Sequence, residues 1–469
     1  MSQPKVALVL GLGRFGGGVE ATRFLLRRGR RVRVADRAAA DQLSASVEQL
    51  PAAPGLELCL GREDPGLLDH VDLLVVNPGV APQHPLLVEA RRHDLAVTQE
   101  VDLFLAAYPG RVTLVTGTNG KSTTATLLAA ALRAAGRSVL VGGNLGHSLL
   151  ADEASWSPTQ DAIVEISSFQ LERLAPTARV HGTVLTAVTR DHLDRHRTLQ
   201  AYHAAKATAA AAAQEFLVHP ADDPVTSGFA TAAKRRVTFA RRPPRGDQTG
   251  VIEGWLVVGA SPVQRLLHRD ALTLLGGDDF QLDNVMAAAA AATLLGAAPH
   301  AAGLALAMAA PLPHRLQLVR VTGGVRIYDN GVSTEVQSTA AALRSLRGAI
   351  RWVGGGHSKD GDYASVADAI AARAASAHVY GRAATPLRAA LGARCPCTTH
   401  ETLRPALDAA WRAAQPGDAL LFSPAFASFD QYPNFRARAE EFCQWVAAEP
   451  AGRGAKQRAP VAPDLLADA

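Results

Sequence analysis

The sequence predicts an α/β protein of three domains: Rossmann-like at each end, with a phosphate-loop domain on a mostly parallel sheet between them. Three observations predict this. Val112–Thr124 reads as an apolar strand, a glycine-rich turn and the opening of an alanine- and leucine-rich helix, Ala125 to Ala135. Val6–Leu10 runs into Gly11-Leu12-Gly13-Arg14-Phe15-Gly16, and Asp36 closes the next strand twenty residues after Gly16. Ala419–Phe422 leads into Ser423–Asp430 and then a helix carrying Arg436, Arg438, Glu440 and Glu441. The expected boundaries are 1–99, 100–311 and 312–449, with 450–469 a disordered tail carrying three prolines and few bulky residues.

The 469 residues suffice for several cores, and 48% are apolar, which excludes a disordered chain. The net charge of +5 is mostly scattered Arg, so no nucleic-acid partner is expected. Cys395 and Cys397 flank one proline and have no second pair, which supports neither a zinc site nor a disulfide framework. The first strand begins within a few residues, so no leader is expected and a cytoplasmic setting fits. Val285–Leu312 is nearly uncharged, but Gly296, Pro299, Gly303 and Pro311 break it. Two buried helices are expected there, not a membrane span.

In the first domain, Gly13 to Gly16 form a turn that suits an anion, and Asp36 is placed to read a ribose. Leu73–Val76 is another strand, ending in Asn77-Pro78-Gly79-Val80 at the sheet edge where ligands bind.

In the second domain, Gly117 and Gly120 let backbone N–H groups converge on phosphate, and Thr118 and Asn119 lie between them. Lys121 reaches terminal phosphates, and Ser122 or Thr123 offers a hydroxyl to Mg²⁺. Ser138–Val141 reads as a strand, followed by a loop holding Asn144. Glu165 ends the apolar run Ala162–Glu165, where a carboxylate needs a cation or an arginine. Val184–Val188 reads as a strand leading to Asp191, His192, Asp194 and His196, a cluster that suggests charge handling. Lys206 is one of only six lysines among 48 basic residues. Its local sequence fits a helix-surface residue. Its rarity fits a task Arg cannot do, such as reacting with CO₂ to give a metal-binding carbamate. Gln281 to Asn284 open the alanine-rich helices.

In the third domain, Leu312-Pro313-His314-Arg315 reads as a hinge. Val325–Asn330 and Ile350–Val353 are strands whose ends carry Asp329 and, in Gly354–Asp360, Lys359.

Taken together, Gly117–Thr123, Val164–Glu172, Asp191–Arg195, Leu312–Arg315 and Ser423–Gln431 resemble the Mur ligase family, over residues 1 to about 447. The resemblance implies ATP-dependent amide bond formation in peptidoglycan synthesis, joining D-glutamate to UDP-N-acetylmuramoyl-L-alanine through an acyl phosphate. It implies that Gly117 to Thr123, Asn284, Arg315 and Asp329 contact ATP. It gives Ser122 and Glu165 one Mg²⁺ and gives His192 and carbamylated Lys206 (N6-carboxylysine) a second. Lys121, Glu165, His192 and Lys206 would form the catalytic set. Gly13, Arg14, Phe15, Gly16, Asp36, Arg37, Asn77, Gly79, Asn144 and His192 would hold the UDP-substrate. Ser333, Lys359, Ser428, Phe429 and Phe435 would hold glutamate. The expected state is a monomer. The chain departs from the family pattern at Gly331, where a lysine is usual, at Phe15 (Ser or Thr) and at Gln281 (Asn). The residues leave open L-glutamate or another acceptor, a nicotinamide-dependent oxidoreductase, and a non-enzymatic nucleotide binder.

Overall fold

Apolar runs too short for helices become strands, the central ones buried on both faces, and amphipathic or alanine-rich segments cover them. The structure, a computed structural model, describes residues 5–13, 16–259, 263–272, 279–309, 312–334, 336–358 and 361–448. The expectations at Arg14, Phe15 and Lys359 and for the 450–469 tail lie outside the described residues.

The described residues form three sheets. The first contains β1 (Val6–Leu10), β2 (Arg31–Asp36), β3 (Leu56–Leu60), β4 (Val71–Val76) and β5 (Ala96–Thr98), all parallel, in the order β3-β2-β1-β4-β5. The order turns back at β1, so the loop after β1 sits at a switch point.

The second sheet contains β6 (Arg111–Thr116), β7 (Val139–Gly143), β8 (Asp161–Glu165), β9 (Val180–Leu185), β10 (Ala213–Pro220), β11 (Arg235–Phe239), β12 (Thr249–Ile252), β13 (Trp255–Val258) and β14 (Gln264–His268). Their order is β14-β13-β12-β11-β10-β9-β6-β8-β7. Its core strands are parallel, and β12–β13 is an antiparallel hairpin. The helix Asp279–Leu294 is alanine-rich, and its described residues Val285 to Ala292 are almost entirely buried, as expected of a helix that is apolar all round. With Pro299–Ala307 it replaces the would-be membrane span. Among the described residues no helix is long and apolar enough to cross a membrane.

The third sheet contains β15 (Gln317–Thr322), β16 (Val325–Asp329), β17 (Ile350–Gly355), β18 (Ala374–Tyr380), β19 (Cys397–His400) and β20 (Ala419–Ala425). Their order is β15-β16-β20-β17-β18-β19, parallel except for the β15–β16 hairpin. The chain divides into two compact units. One takes Met1–Leu266 and Asp283–Ala305, holding the first sheet and most of the second. The other takes Leu267–Leu282 and Leu306–Ala469, holding the third.

Three local expectations are corrected. The helix after the phosphate loop starts at Lys121, not Ala125, because Gly120 is already its N-cap, at φ 81°. The strand expected over Val184–Val188 is Val180–Leu185. It ends there because Thr186 and Ala187 turn their polar groups to the loop: Thr118 N–H donates to the Ala187 carbonyl at 3.0 Å. The strand expected over Ala419–Phe422 runs on to Ala425, and within the extension the Ser423 carbonyl accepts the buried Trp352 Nε1–H at 3.0 Å.

Candidate functional site

The phosphate loop leaves β6, which lies between β9 and β8 where the strand order reverses. Gly117 has φ 152° and Gly120 φ 81°. A Cβ on Gly117 would lie 1.8 Å from Thr186 Oγ1, and one on Gly120 2.1 Å from Asn284 Oδ1. Only glycine fits both the backbone and the space. The loop is clamped from outside. Thr186 Oγ1 donates to the Asn119 carbonyl at 2.5 Å. Thr118 Oγ1 accepts from the Thr189 N–H at 2.8 Å and bonds the Tyr202 hydroxyl at 2.8 Å. Sequence reasoning missed Thr186, Thr189 and Tyr202. Their signal was weak, since hydroxyls 67 to 84 residues from the loop carry no local pattern.

Lys121 Nζ folds over its own loop, donating to the Thr118 carbonyl at 2.7 Å and the Gly117 carbonyl at 3.2 Å. Glu165 is the residue of β8 paired in register with Val115 of β6. Its Oε1 accepts from Asn144 Nδ2 at 2.8 Å. Its Oε2, and Ser122 Oγ in the first turn of the helix Lys121–Ala134, are buried without a hydrogen-bond partner among the described residues. A buried carboxylate oxygen left unpaired is costly, and a hard cation that takes oxygen ligands removes the cost. These donors therefore fit Mg²⁺. Asn144, expected on the muramoyl substrate, is seen orienting Glu165.

Lys206 is not on the helix surface. It sits in the helix Leu199–Ala212, 1% exposed, with Nζ 2.8 Å from Thr116 Oγ1 and 2.9 Å from the Gly117 carbonyl oxygen. Burial, then the neighbouring Lys121 charge, pushes its pKa well below the ordinary lysine value, against the pull of Asp191 and Glu165. An amine so placed is readily neutral, the form that reacts with CO₂. His192 has φ 49° and presents its ring edge-on to Phe169, centroids 5.0 Å apart. Its own N–H is held by Asp191 Oδ1 at 2.9 Å, and its Nε2 lies 3.5 Å from Asp191 Oδ2. His196 is buried instead, bonded to Ser168 Oγ at 3.0 Å, with burial lowering its pKa. Asn284, 2% exposed, meets Thr124 Oγ1 at 3.3 Å.

At the first sheet's switch point, Gly13 has φ 66° and Gly16 φ 86°. Asp36 holds this loop: Oδ2 accepts from Gly13 N–H at 3.1 Å and Oδ1 from Ala38 N–H at 2.9 Å. Both oxygens expected to read a ribose are engaged by backbone. Asn77 Oδ1 accepts from Gly79 N–H at 3.0 Å, and Arg37 is exposed. Arg173 donates to the carbonyls of Asn77 and Val80, and Arg195 to Val80 at 3.0 Å, so this edge is tied to the second sheet.

In the second unit, Asp329 is fully buried, with His314 Nδ1 2.7 Å from its Oδ2 and Gly331 N–H donating to its Oδ1 at 2.8 Å. The carboxylate expected on ATP is thus engaged within its own unit, while Arg315 is exposed. Ser333 is buried and bonds Thr339 at 2.9 Å, in a network that continues to Ser423. Ser428 is 2% exposed and Phe429 67%. Phe435 opens the helix Phe435–Ala448. Sequence reasoning placed Arg438 only on that helix. It is wholly buried, donating to the Phe426 carbonyl at 2.9 Å and that of Gly355 at 3.3 Å, and so fixes the ends of β17 and β20. At Gly331 a Cβ would lie 2.7 Å from Ala439 Cβ, so the packing here excludes the family's lysine.

The chain matches the N-terminal domain of MurD-like Mur ligases over residues 5–99, the Mur ligase middle domain over 115–292, and the Mur ligase glutamate ligase domain over 314–426. It is 35% identical over 441 residues to a UDP-N-acetylmuramoylalanine–D-glutamate ligase of Geotalea daltonii, covering 93% of this chain and 96% of that one. It is 36% identical over 456 residues to the protein of the same name in Nitrosococcus oceani, covering 95% and 97%. Among solved structures, a pseudomurein peptide ligase type C from Methanothermus fervidus shares the fold at TM-score 0.55 and 18% identity, covering 95% and 99%. The MurF ligase of Thermotoga maritima in complex with ADP shares it at TM-score 0.55 and 16% identity, covering 95% of each chain. The chain belongs to the Mur ligase family.

Proposed function

We propose that this ligase joins D-glutamate to the carboxyl group of UDP-N-acetylmuramoyl-L-alanine, with ATP converted to ADP and phosphate. The observation that carries the reading is a phosphate loop together with two buried oxygens, Ser122 Oγ and Glu165 Oε2, that have no hydrogen-bond partner among the described residues. A loop so built holds a nucleotide phosphate together with its cation. Likeness at 35% and 36% identity, over nearly the full length, to ligases of that name supports the acceptor and the amino acid.

A carboxylate resists attack by an amine until it carries a leaving group. Lys121 and the N-terminus of the helix Lys121–Ala134 hold the phosphates and draw charge from the one transferred to the acceptor carboxylate. Ser122 and Glu165 would hold one Mg²⁺, and His192 with carbamylated Lys206 a second. Bound there, Mg²⁺ would supply positive charge that neutralises the phosphate oxygens. Asn144 and Asp191 orient Glu165 and His192. The amine of glutamate then attacks the acyl phosphate, and phosphate leaves.

The loops at Gly13–Gly16, Asp36–Arg37 and Asn77–Gly79 would hold the UDP end. Ser428, Phe429, Phe435 and Ser333 would line the glutamate subsite. We place the reaction in the cytoplasm, carried out by a monomer. The oxidoreductase alternative is disfavoured by the match to Mur ligase domains along the chain and by the near full-length likeness to ligases.

The test is phosphate release from ATP with Mg²⁺ and UDP-N-acetylmuramoyl-L-alanine, in the presence of D-glutamate, L-glutamate or neither. Release that depends on D-glutamate supports the reading. Preference for L-glutamate would keep the chemistry and change the product. No release with either would overturn it.

A further inference from the structure

We propose that His314, Asp329 and Cys443 form a binding site for a thiophilic divalent cation such as Zn²⁺, apart from the Mg²⁺ positions at the phosphate loop. The site lies wholly within the second unit and joins the end of β16 to the helix Phe435–Ala448. Among the described residues, it is the one place where three His, Cys or carboxylate ligand atoms lie within 4.8 Å of one another. His314 Nδ1 is 2.7 Å and Cys443 Sγ 3.6 Å from the same oxygen, Asp329 Oδ2. Tetrahedral zinc with its usual bond lengths sets N, O and S ligands about 3.3–3.6 Å apart. The Cys–Asp spacing already meets this, and the His–Asp pair has to open by roughly half an ångström.

The surroundings favour a cation. Asp329 is fully buried with its other oxygen fixed by the Gly331 N–H at 2.8 Å, so Oδ2 is aimed at the two partners. His314 is held by its backbone, at φ 61°, with the Val332 N–H donating to its carbonyl at 3.3 Å. Glu440 acts on both His314 and Cys443 with negative charge, and Arg436 opposes it at His314. His314 keeps a 20% exposed side chain, which leaves the ion a path in. Binding is a proton exchange without redox. The metal–sulfur bond forms as the thiol proton passes to solvent, and thiolate plus carboxylate neutralise a dication. The thiolate selects zinc-like ions over Mg²⁺.

The experiment is titration of the full chain with Co²⁺ alone, reading the thiolate-to-cobalt charge-transfer band and the intense visible bands of tetrahedral cobalt. One equivalent is expected to bind, to be displaced by Zn²⁺, and to raise the melting temperature. The bands are expected to persist in Cys397→Ala and vanish in both Cys443→Ala and Cys443→Ser, with circular dichroism unchanged. His314→Gln is expected to weaken binding by more than about tenfold. Absence of the thiolate band in the native chain, or its persistence in the Cys443 variants, would overturn the proposal. No nucleotide or acceptor is present, so the outcome is independent of the ligase reading.

Discussion

The Lys206 amine lies 2.9 Å from the Gly117 carbonyl oxygen, joining a buried lysine to the first glycine of the phosphate loop. A full positive charge at that point is opposed by burial and by Lys121. Arginine cannot substitute, because its guanidinium neither loses its charge nor reacts with CO₂. Lys206→Gln and Lys206→Arg are therefore expected to lower kcat by at least about 100-fold while leaving ATP affinity within a few-fold. ¹³C-bicarbonate is expected to give a carbamate NMR signal in the native chain and none in Lys206→Gln. Wild-type turnover in Lys206→Arg would contradict this.

Gly120→Ala is expected to disable nucleotide binding. The new Cβ would meet Asn284 Oδ1 at 2.1 Å, and the backbone is at φ 81°. A strained backbone and an overpacked contact each cost about 1–3 kcal/mol. Calorimetric titration with ADP is expected to show more than tenfold weaker binding, beside a lower melting temperature.

Asp102 offers a stabilising change. Burial raises its pKa to about 6, against the help of the Ala175 N–H, which donates to Oδ1 at 3.3 Å. Its folded pKa is above the unfolded value, so its contribution to stability is present in acid and lost as pH rises from about 4 to 6. Asp102→Asn keeps an acceptor for Ala175 and removes the buried charge. It is expected to stabilise the chain by roughly 1–2 kcal/mol at pH 7.5, with no gain below about pH 4. Urea unfolding at the two pH values checks this.

His378 acts in the opposite direction. Burial, then His400, Arg351 and Arg412, lower its pKa to about 4. The neutral ring is held by Thr398 Oγ1 at 2.8 Å and Ser376 Oγ at 3.0 Å. Its folded pKa lies below the unfolded 6.5, so stability is lost as pH falls from 6.5 towards 4. The loss is expected to be roughly 2–3 kcal/mol and to be flattened in His378→Asn.

What was legible in the sequence was whatever local pattern encodes. Gly117, Gly120 and Lys121 were legible because strand, turn and helix follow one another, and the three sheets because each βα step repeats the same order. Apart from the family resemblance, Lys206 was legible only through the rarity of lysine here. The clamp of Thr186, Thr189 and Tyr202 was not, because it forms only when β6, β9 and the helix Leu199–Ala212 are brought together. Asp36 was legible as the acid that ends β2. Its engagement by Gly13 and Ala38 was not, since backbone donors leave no mark on composition. The burial of Arg438 and Asp329 likewise depends on the packing of Phe435–Ala448, which a helix pattern alone does not orient.

Activation of the acceptor carboxylate by phosphorylation leaves an isotopic mark on the phosphate. The most direct measurement uses UDP-N-acetylmuramoyl-L-alanine labelled with ¹⁸O in its carboxyl group, turned over with ATP, Mg²⁺ and D-glutamate, with the released phosphate analysed by mass. One labelled oxygen is expected in each phosphate. Unlabelled phosphate formed together with the amide product would contradict it.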